Sequence, residues 1–393
     1  MGDFYFSEKN PRAPIAFCAF DAMHTRFEAL WVPDGGCLVY DECRALAERI
    51  ESEILRMDAV FNRHDPASPV ARLNGSRGRV KVEDEELWFL LELGEQFRKA
   101  SLGYFDIAAL SNRGAALQGS SGRSAGASGA APGVGGPWAA EDAAGAYGEA
   151  PGPGGAWAAE DAAGASREVP RTEGPWAAEA PFRLIHGSHE IETRRGCILD
   201  FGAIAKGYAL ERVRKILDEA GVRNALLNFG GSSALGMGHH PLGPHWEVRP
   251  ATPVPCEKTA FLHTEQAKKA IPRENSALLH TEQADGRGTG PQVEAGESAG
   301  EGITPKKAER CFRLLDSAMS VSGKNREGRD HIVNPITGRM AGAKADIVVQ
   351  GRSAIICEAL STALYAAPSE LHKEIIANFG GYTFTALPRE ALQ

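Results

Sequence analysis

Glu358, Ser361 and Thr362 lie in the run Ile355-Ile356-Cys357-Glu358-Ala359-Leu360-Ser361-Thr362-Ala363-Leu364-Tyr365, where helical spacing puts three oxygen-bearing side chains on one face. One carboxylate and two hydroxyls suit a hard cation such as Mg²⁺, which prefers oxygen ligands and leaves places open for phosphate oxygens. Leu360 and Leu364 form the other stripe, so the helix packs on a core and offers its polar face to a cleft. The same spacing also describes an ordinary amphipathic helix, and only the rest of the chain can separate the two readings.

A second group is Asp200-Phe201-Gly202-Ala203-Ile204-Ala205-Lys206-Gly207-Tyr208, which reads as a strand passing through a small-residue turn into a helix. Helix starts present free N–H groups and favour anions, so Lys206 is suited to neutralise a phosphate and Asp200 to accept hydrogen bonds from a ring or ribose. The alternative is that Asp200 caps the helix and Lys206 is solvated. Ser322-Gly323 offers a hydroxyl and backbone donors. His331-Ile332-Val333-Asn334-Pro335-Ile336-Thr337-Gly338 combines a histidine suited to acid, base or polar contact with a turn governed by strong local rules.

Three blocks carry enough apolar residues to hold these groups in place: approximately 13–113, 182–250 and 308–388. The first predicts a strand over Thr25 to Val32. A helix follows, capped by Asp41, with Ala45, Leu46, Ile50, Ile54 and Leu55 as its stripe. The second predicts a strand at Cys197 to Leu199 and a helix from Ile204 burying Ala205, Ala209, Val213, Ile216, Leu217 and Ala220. That helix ends at Gly221, and a strand over Ala225 to Phe229 comes next. The third predicts strands at 317–321, 331–333 and 347–349, the Glu358 helix, and a closing strand at 382–384. This mixed order favours an α+β fold over a repeating βαβ pattern.

Between the blocks lie two stretches of a different kind, 114–180 and 253–305. The first repeats Trp138-Ala-Ala-Glu-Asp-Ala-Ala-Gly-Ala at Trp157 and in part at Trp176; the second repeats Leu262-His-Thr-Glu-Gln-Ala at Leu279. Too few large apolar residues occur in either to offset the entropy of ordering, so both read as disordered insertions in one domain spanning 13–388. The net charge of -8 over 393 residues provides no basic surface for nucleic acid or anionic lipid. The seven cysteines are scattered with no Cys-x-x-Cys pair, which fits a reducing compartment. No basic start with an apolar run, no lipid-attachment cysteine and no stretch of about 18 apolar residues is seen, so the expectation is a cytoplasmic protein without membrane insertion.

Together the motifs resemble the ApbE-like family, the FAD:protein FMN transferases. The pieces that carry the resemblance are Met23-His24-Thr25, His64-Asp65-Pro66-Ala67-Ser68-Pro69-Val70-Ala71-Arg72-Leu73-Asn74, Gly103-Tyr104-Phe105-Asp106, Asp200 to Tyr208 with Glu211, Leu227-Asn228-Phe229-Gly230-Gly231, Ser322-Gly323, His331 to Gly338, and Glu358 to Ala363. The resemblance implies a single α+β domain that binds FAD as substrate. It would use Mg²⁺ or Mn²⁺ to transfer FMN to a threonine or serine of an acceptor flavoprotein, with release of AMP. It implies flavin-nucleotide positions at Met23, His64, Tyr104, Phe105, Asp106, Asp200, Lys206 and Ile332. The implied metal positions are the Ala203 carbonyl, Glu358, Ser361 and Thr362, and Asp200, His331 or Glu358 would serve as the proton acceptor. The chain departs from the family's usual residues at His24, His64 and Glu358; the last stands where aspartate is usual and extends the carboxylate by about an ångström, which an octahedral cation would feel. A flavin-binding protein without catalysis and an FAD pyrophosphatase giving FMN and AMP are the alternatives.

Overall fold

The computed structural model describes residues 2–8, 14–33, 39–112, 180–249, 311–324 and 328–389. Except for Ala180, both repeat stretches lie outside the described residues, as do Cys37 and Cys256. An antiparallel sheet of eight strands forms the centre, in the order β1-β2-β3-β7-β8-β11-β12-β13. These are β1 (Asp3–Ser7), β2 (Ile15–Ala22), β3 (Thr25–Trp31), β7 (Ala225–Phe229), β8 (Ser233–Met237), β11 (Ser317–Ser322), β12 (Ala345–Gly351) and β13 (Thr383–Pro388). A small sheet of β4 (Gly78–Lys81), β6 (Glu190–Thr193) and β5 (Phe182–Ile185) stands beside it, and β9 (Trp246–Val248) pairs with β10 (Phe312–Leu314). The fold is α+β, as the sequence predicts.

Alternation along the strands splits the central sheet into two apolar faces. Phe27, Ala29 and Trp31 of β3 and Ala225, Leu227 and Phe229 of β7 point toward the helices. Leu30, Leu226, Ala234, Met319 and Val348 point the other way, where Trp246, Phe312 and Leu314 of β9 and β10 cover them. The helices are α1 (Tyr40–Phe61), α2 (Pro69–Gly75), α3 (Glu85–Ala100), α4 (Ala205–Glu219), α5 (Ala354–Ala366) and α6 (His372–Ala377).

Several local expectations are corrected. Helix α1 begins one residue before Asp41, which therefore sits inside its first turn; Glu42 accepts the Val39 N–H at 3.0 Å instead. Its buried face is Cys43, Leu46, Ala47, Ile50, Ile54 and Met57, leaving Ala45 and Leu55 exposed, because the 3.6-residue period rotates the stripe past them. Residues 197–199 form no strand. Side chains take the place of a neighbouring strand: Leu199 N–H donates to Asn74 Oδ1 at 2.7 Å, Asn74 Nδ2 donates to Leu199 C=O at 3.0 Å, and Ile198 N–H donates to Ser111 Oγ at 2.8 Å. Residues 331–333 contribute only the bridge of Val333 to Met340. Helix α5 is buried on every side except at Thr362, held between α4 and the sheet, so it is not an amphipathic surface helix.

The hairpin joining β2 to β3 turns through Met23 and His24, both with positive φ (48° and 61°). Two such residues are what a tight hairpin with strand-matched twist requires, and histidine tolerates the region better than most side chains.

Candidate functional site

Helices α4 and α5 cross where Gly207 lies against backbone. A Cβ added at Gly207 would come within 2.6 Å of the Ala354 carbonyl oxygen and 2.7 Å of Ile355 Cα. The close crossing lets the Gly207 N–H donate to Glu358 Oε2 at 2.6 Å. Glu211, one turn further along α4, accepts the Ala354 N–H at 2.7 Å at the start of α5. Burial pushes the Glu211 carboxyl above the usual range, while Arg214 at 2.8 Å and the Ala354 N–H act in the opposite sense. The two helices are thus joined by carboxylates at both sides of the crossing.

Glu358 is 4 % exposed. Its Oε1 forms an ion pair with Lys206 Nζ. Lys206 also donates to the Gly202 carbonyl at 2.9 Å, one residue before Ala203. Ser361 is fully buried and its hydroxyl is taken up internally, donating to the Glu358 carbonyl at 3.0 Å and lying 2.9 Å from Ser322 Oγ. Thr362 is half-buried and 3.3 Å from the same Ser322 hydroxyl. Ser322 at the end of β11 therefore links both hydroxyls, a role visible only once β11 is seen against α5.

Asp200 closes the turn before α4, its Oδ1 accepting the Gly202 N–H at 2.8 Å; the residue preceding α4 itself is Ile204, so Asp200 caps the turn and not the helix. Its Oδ2 pairs with Arg63 Nε at 2.9 Å. Arg63 was not singled out in the sequence, and nothing local marks it, because its partner is far along the chain. His64, next to it, is exposed, and its ring meets His24 edge-on at 6.0 Å. The Met23 N–H donates to Asp58 Oδ2 at 2.9 Å.

The Asp200 N–H donates to the Ile107 carbonyl at 2.7 Å, which brings 104–106 alongside the turn. Tyr104 is half-buried, whereas Phe105 is 2 % exposed and packs edge-on against Phe97 in the core, its N–H donating to Ser101 Oγ. Phe105 therefore belongs to the core and is not an open wall of a ligand site. Burial pushes the Asp106 carboxyl above the usual carboxylate range, against the Ala108 N–H and the charge of Arg98.

His331 is exposed as a whole residue but its imidazole is partly shielded, and Ile332 beside it is half-buried against the core. Burial and the nearby Lys206 ammonium hold the His331 imidazole below its ordinary value, while the Arg329 backbone and Asp330 act in the opposite sense. The loop is pinned at two points. Asn334 Nδ2 donates to the Ala366 carbonyl at 2.9 Å at the end of α5, and Asn334 Oδ1 accepts the N–H groups of Ile336 and Thr337. Tyr365 Oη donates to Asp330 at 3.0 Å and accepts from Arg389 at 3.0 Å, and Arg389 Nε is 2.7 Å from Asp346.

This second pin carries a stability prediction. Arg389→Met is expected to lower stability by about 2 kcal/mol and Tyr365→Phe by about 1 kcal/mol. In urea unfolding the double variant should lose less than the sum, because both act on one network. Additive losses would show that the two side chains are not coupled.

The oxygen groups near the crossing are the Glu358 carboxylate and the half-buried Thr362 hydroxyl, with Ala203 in the turn before α4, whereas the Ser361 hydroxyl is already taken up by the Glu358 carbonyl and Ser322. A buried carboxylate oxygen met by an ammonium is a position that already demands positive charge, the kind of position a hard cation such as Mg²⁺ would suit.

The family model described as "ApbE family" matches residues 23–122 and 159–277, more than half of the chain. The Glu358 helix lies outside those matched residues. Among solved structures, the ApbE protein of Thermotoga maritima is 18% identical with a TM-score of 0.56, covering 98% of this chain and 94% of that one. The flavin transferase ApbE of Vibrio cholerae is 14% identical at a TM-score of 0.56, covering 95% and 97%. The apo flavinyl transferase ApbE of Pseudomonas stutzeri is 18% identical at 0.56, covering 98% and 96%. At these identities the likeness is one of fold. No curated protein matches the sequence. Among the described residues no helix is long and apolar enough to cross a membrane.

Proposed function

Since the chain belongs to the ApbE family, we propose that it transfers the FMN half of FAD to a threonine or serine hydroxyl of an acceptor protein and releases AMP. The observation that carries this reading is the meeting of Lys206, in the first turn of α4 beside the Asp200 turn, with Glu358 of α5, from segments far apart in the chain. An anion-favouring helix start beside a buried carboxylate is an arrangement for binding a pyrophosphate with a divalent cation.

In the proposed reaction the acceptor hydroxyl oxygen forms a bond to the FMN-side phosphorus. The bridging P–O bond breaks, and AMP leaves with its electron pair. Glu358, Thr362 and the Ala203 carbonyl would hold Mg²⁺, which supplies charge for the pyrophosphate oxygens. Lys206 neutralises phosphate charge. Asp200, held by Arg63 and the Gly202 N–H, keeps the turn in shape. Its carboxylate is committed to those contacts, which leaves His331 as the proposed acceptor of the hydroxyl proton. Met23, His64, Tyr104, the Asp106 segment and Ile332 are the proposed walls for the flavin and its ribityl chain.

The test is to mix the purified chain with FAD, Mg²⁺ and a flavinylatable acceptor domain. AMP release and covalent flavin fluorescence on a denaturing gel are then followed, with EDTA as control. A fluorescent acceptor band with metal-dependent AMP release supports the reading. AMP without labelled acceptor would replace it with a pyrophosphatase, and bound flavin without AMP with a flavin-binding protein.

The His331 assignment predicts a pH dependence. A base must be neutral to accept a proton, so the rate should fall as pH drops through the imidazole pKa. That midpoint is expected below the ordinary 6.5, because burial and Lys206 favour the neutral ring. His331→Gln should lower the rate by about 10²-fold and flatten the acid limb. A limb unchanged in the variant would assign the base elsewhere.

A further inference from the structure

The Lys206 ammonium stands in the surroundings of a hard cation. It pairs with Glu358 Oε1 on one side and donates to the Gly202 carbonyl at 2.9 Å on the other, with the Ala203 carbonyl next along the turn. The carboxylate does not depend on it for position, because Gly207 N–H holds Oε2 at 2.6 Å. The lysine side chain is 19 % exposed and enters from the first turn of α4, with four rotatable methylenes. One partner is therefore fixed and the other is free to swing.

We propose that Lys206 holds the cation position of the Glu358 site in the nucleotide-free chain and yields it to a divalent metal, moving to the phosphate charge of the incoming flavin nucleotide. The inference rests on the transferase reading for the identity of the metal and nucleotide. Its physical basis is simple. Two cations cannot share one buried carboxylate oxygen at contact, so metal entry must displace the ammonium. A displaced ammonium needs a new anion, and the pyrophosphate supplies one. Metal alone should then bind weakly, and metal and nucleotide should each favour the other by the same factor. Lys206 thereby becomes the residue that keeps the site closed to metal until nucleotide is present.

The experiment titrates the nucleotide-free full-length chain with Mn²⁺ and reads free Mn²⁺ by its electron paramagnetic resonance signal. Lys206→Met and Lys206→Gln are expected to bind Mn²⁺ tighter than the parent by about tenfold or more, because the competing charge is gone. Lys206→Arg, which keeps the charge, should not. Two neutral variants guard against one of them failing to fold. In Lys206→Met/Glu358→Ala the gain should vanish. Equal or weaker binding in the folded neutral variants, or a gain that survives loss of Glu358, would overturn the proposal. AMP release from FAD by the parent chain is measured separately, so failure of the transferase reading would be seen there and not in the order of Mn²⁺ affinities.

Discussion

Replacing Glu358 by glutamine is expected to lower AMP release by about three orders of magnitude, with little change in the fold. The amide keeps the size of the side chain and can still accept the Gly207 N–H, but it removes the one buried negative charge that Lys206 now matches. A cation at that position would lose its only carboxylate in the donor set. A rate within tenfold of the parent would remove Glu358 from the chemistry. Glu358→Asp is the sharper comparison, because aspartate is the family's usual residue there. Here the longer arm reaches the Gly207 N–H with one oxygen and the Lys206 ammonium with the other. Shortening it by a methylene gives up one of these contacts, so about a tenfold fall in rate is expected. A rise in turnover would show that the extra methylene is a handicap to the site and not a fit to the α4 and α5 crossing.

Gly207→Ala should be strongly disruptive. Alanine is the better helix former by about 1 kcal/mol in an exposed helix. That gain is outweighed because the new methyl would stand 2.6 Å from the Ala354 carbonyl oxygen and 2.8 Å from its carbon, and backbone cannot rotate away as a side chain can. Separating α4 from α5 also weakens the Gly207 N–H bond to Glu358 and the Glu211 bond to Ala354. A net loss of about 3 kcal/mol is expected, seen as a fall in Tm of about 6–12 °C, together with weaker metal binding. An unchanged Tm would mean that the helices can part without consequence, and that the close crossing does not set the site.

How much of this was legible in the sequence differs from residue to residue. The stretch from Ala225 to Phe229 declares a strand by itself, and the structure has one with those bounds. The helix at Ala205 and its stop at Gly221, with φ of 80°, are equally local, since periodicity and a left-handed glycine need no distant partner. Residues 197–199 and 331–333 look like strands because they are apolar and β-branched. They are not: for 197–199 that is because Asn74 and Ser111 satisfy the backbone in place of a strand, and 331–333 form only a single bridge, with the Ala341 N–H donating to the Ile332 carbonyl. Arg63, Tyr365 and Arg389 carry no motif at all. Their importance lies entirely in what they touch.

By itself the sequence determined the α+β class, the motif set of the ApbE family, and the residue types from which a phosphate and metal site could be made. Those follow from local rules of periodicity, turn chemistry and ligand preference, which act over a few residues. The tertiary structure alone decided that Glu358 is buried and paired with Lys206, that Ser361 faces inward, that Phe105 belongs to the core, and that Asp200 is held by Arg63. Each of these depends on contacts between residues far apart in the chain, Lys206 with Glu358 and Arg63 with Asp200 among them. Charge pairing and burial are properties of the packed neighbourhood, so no pattern within either segment could have announced them.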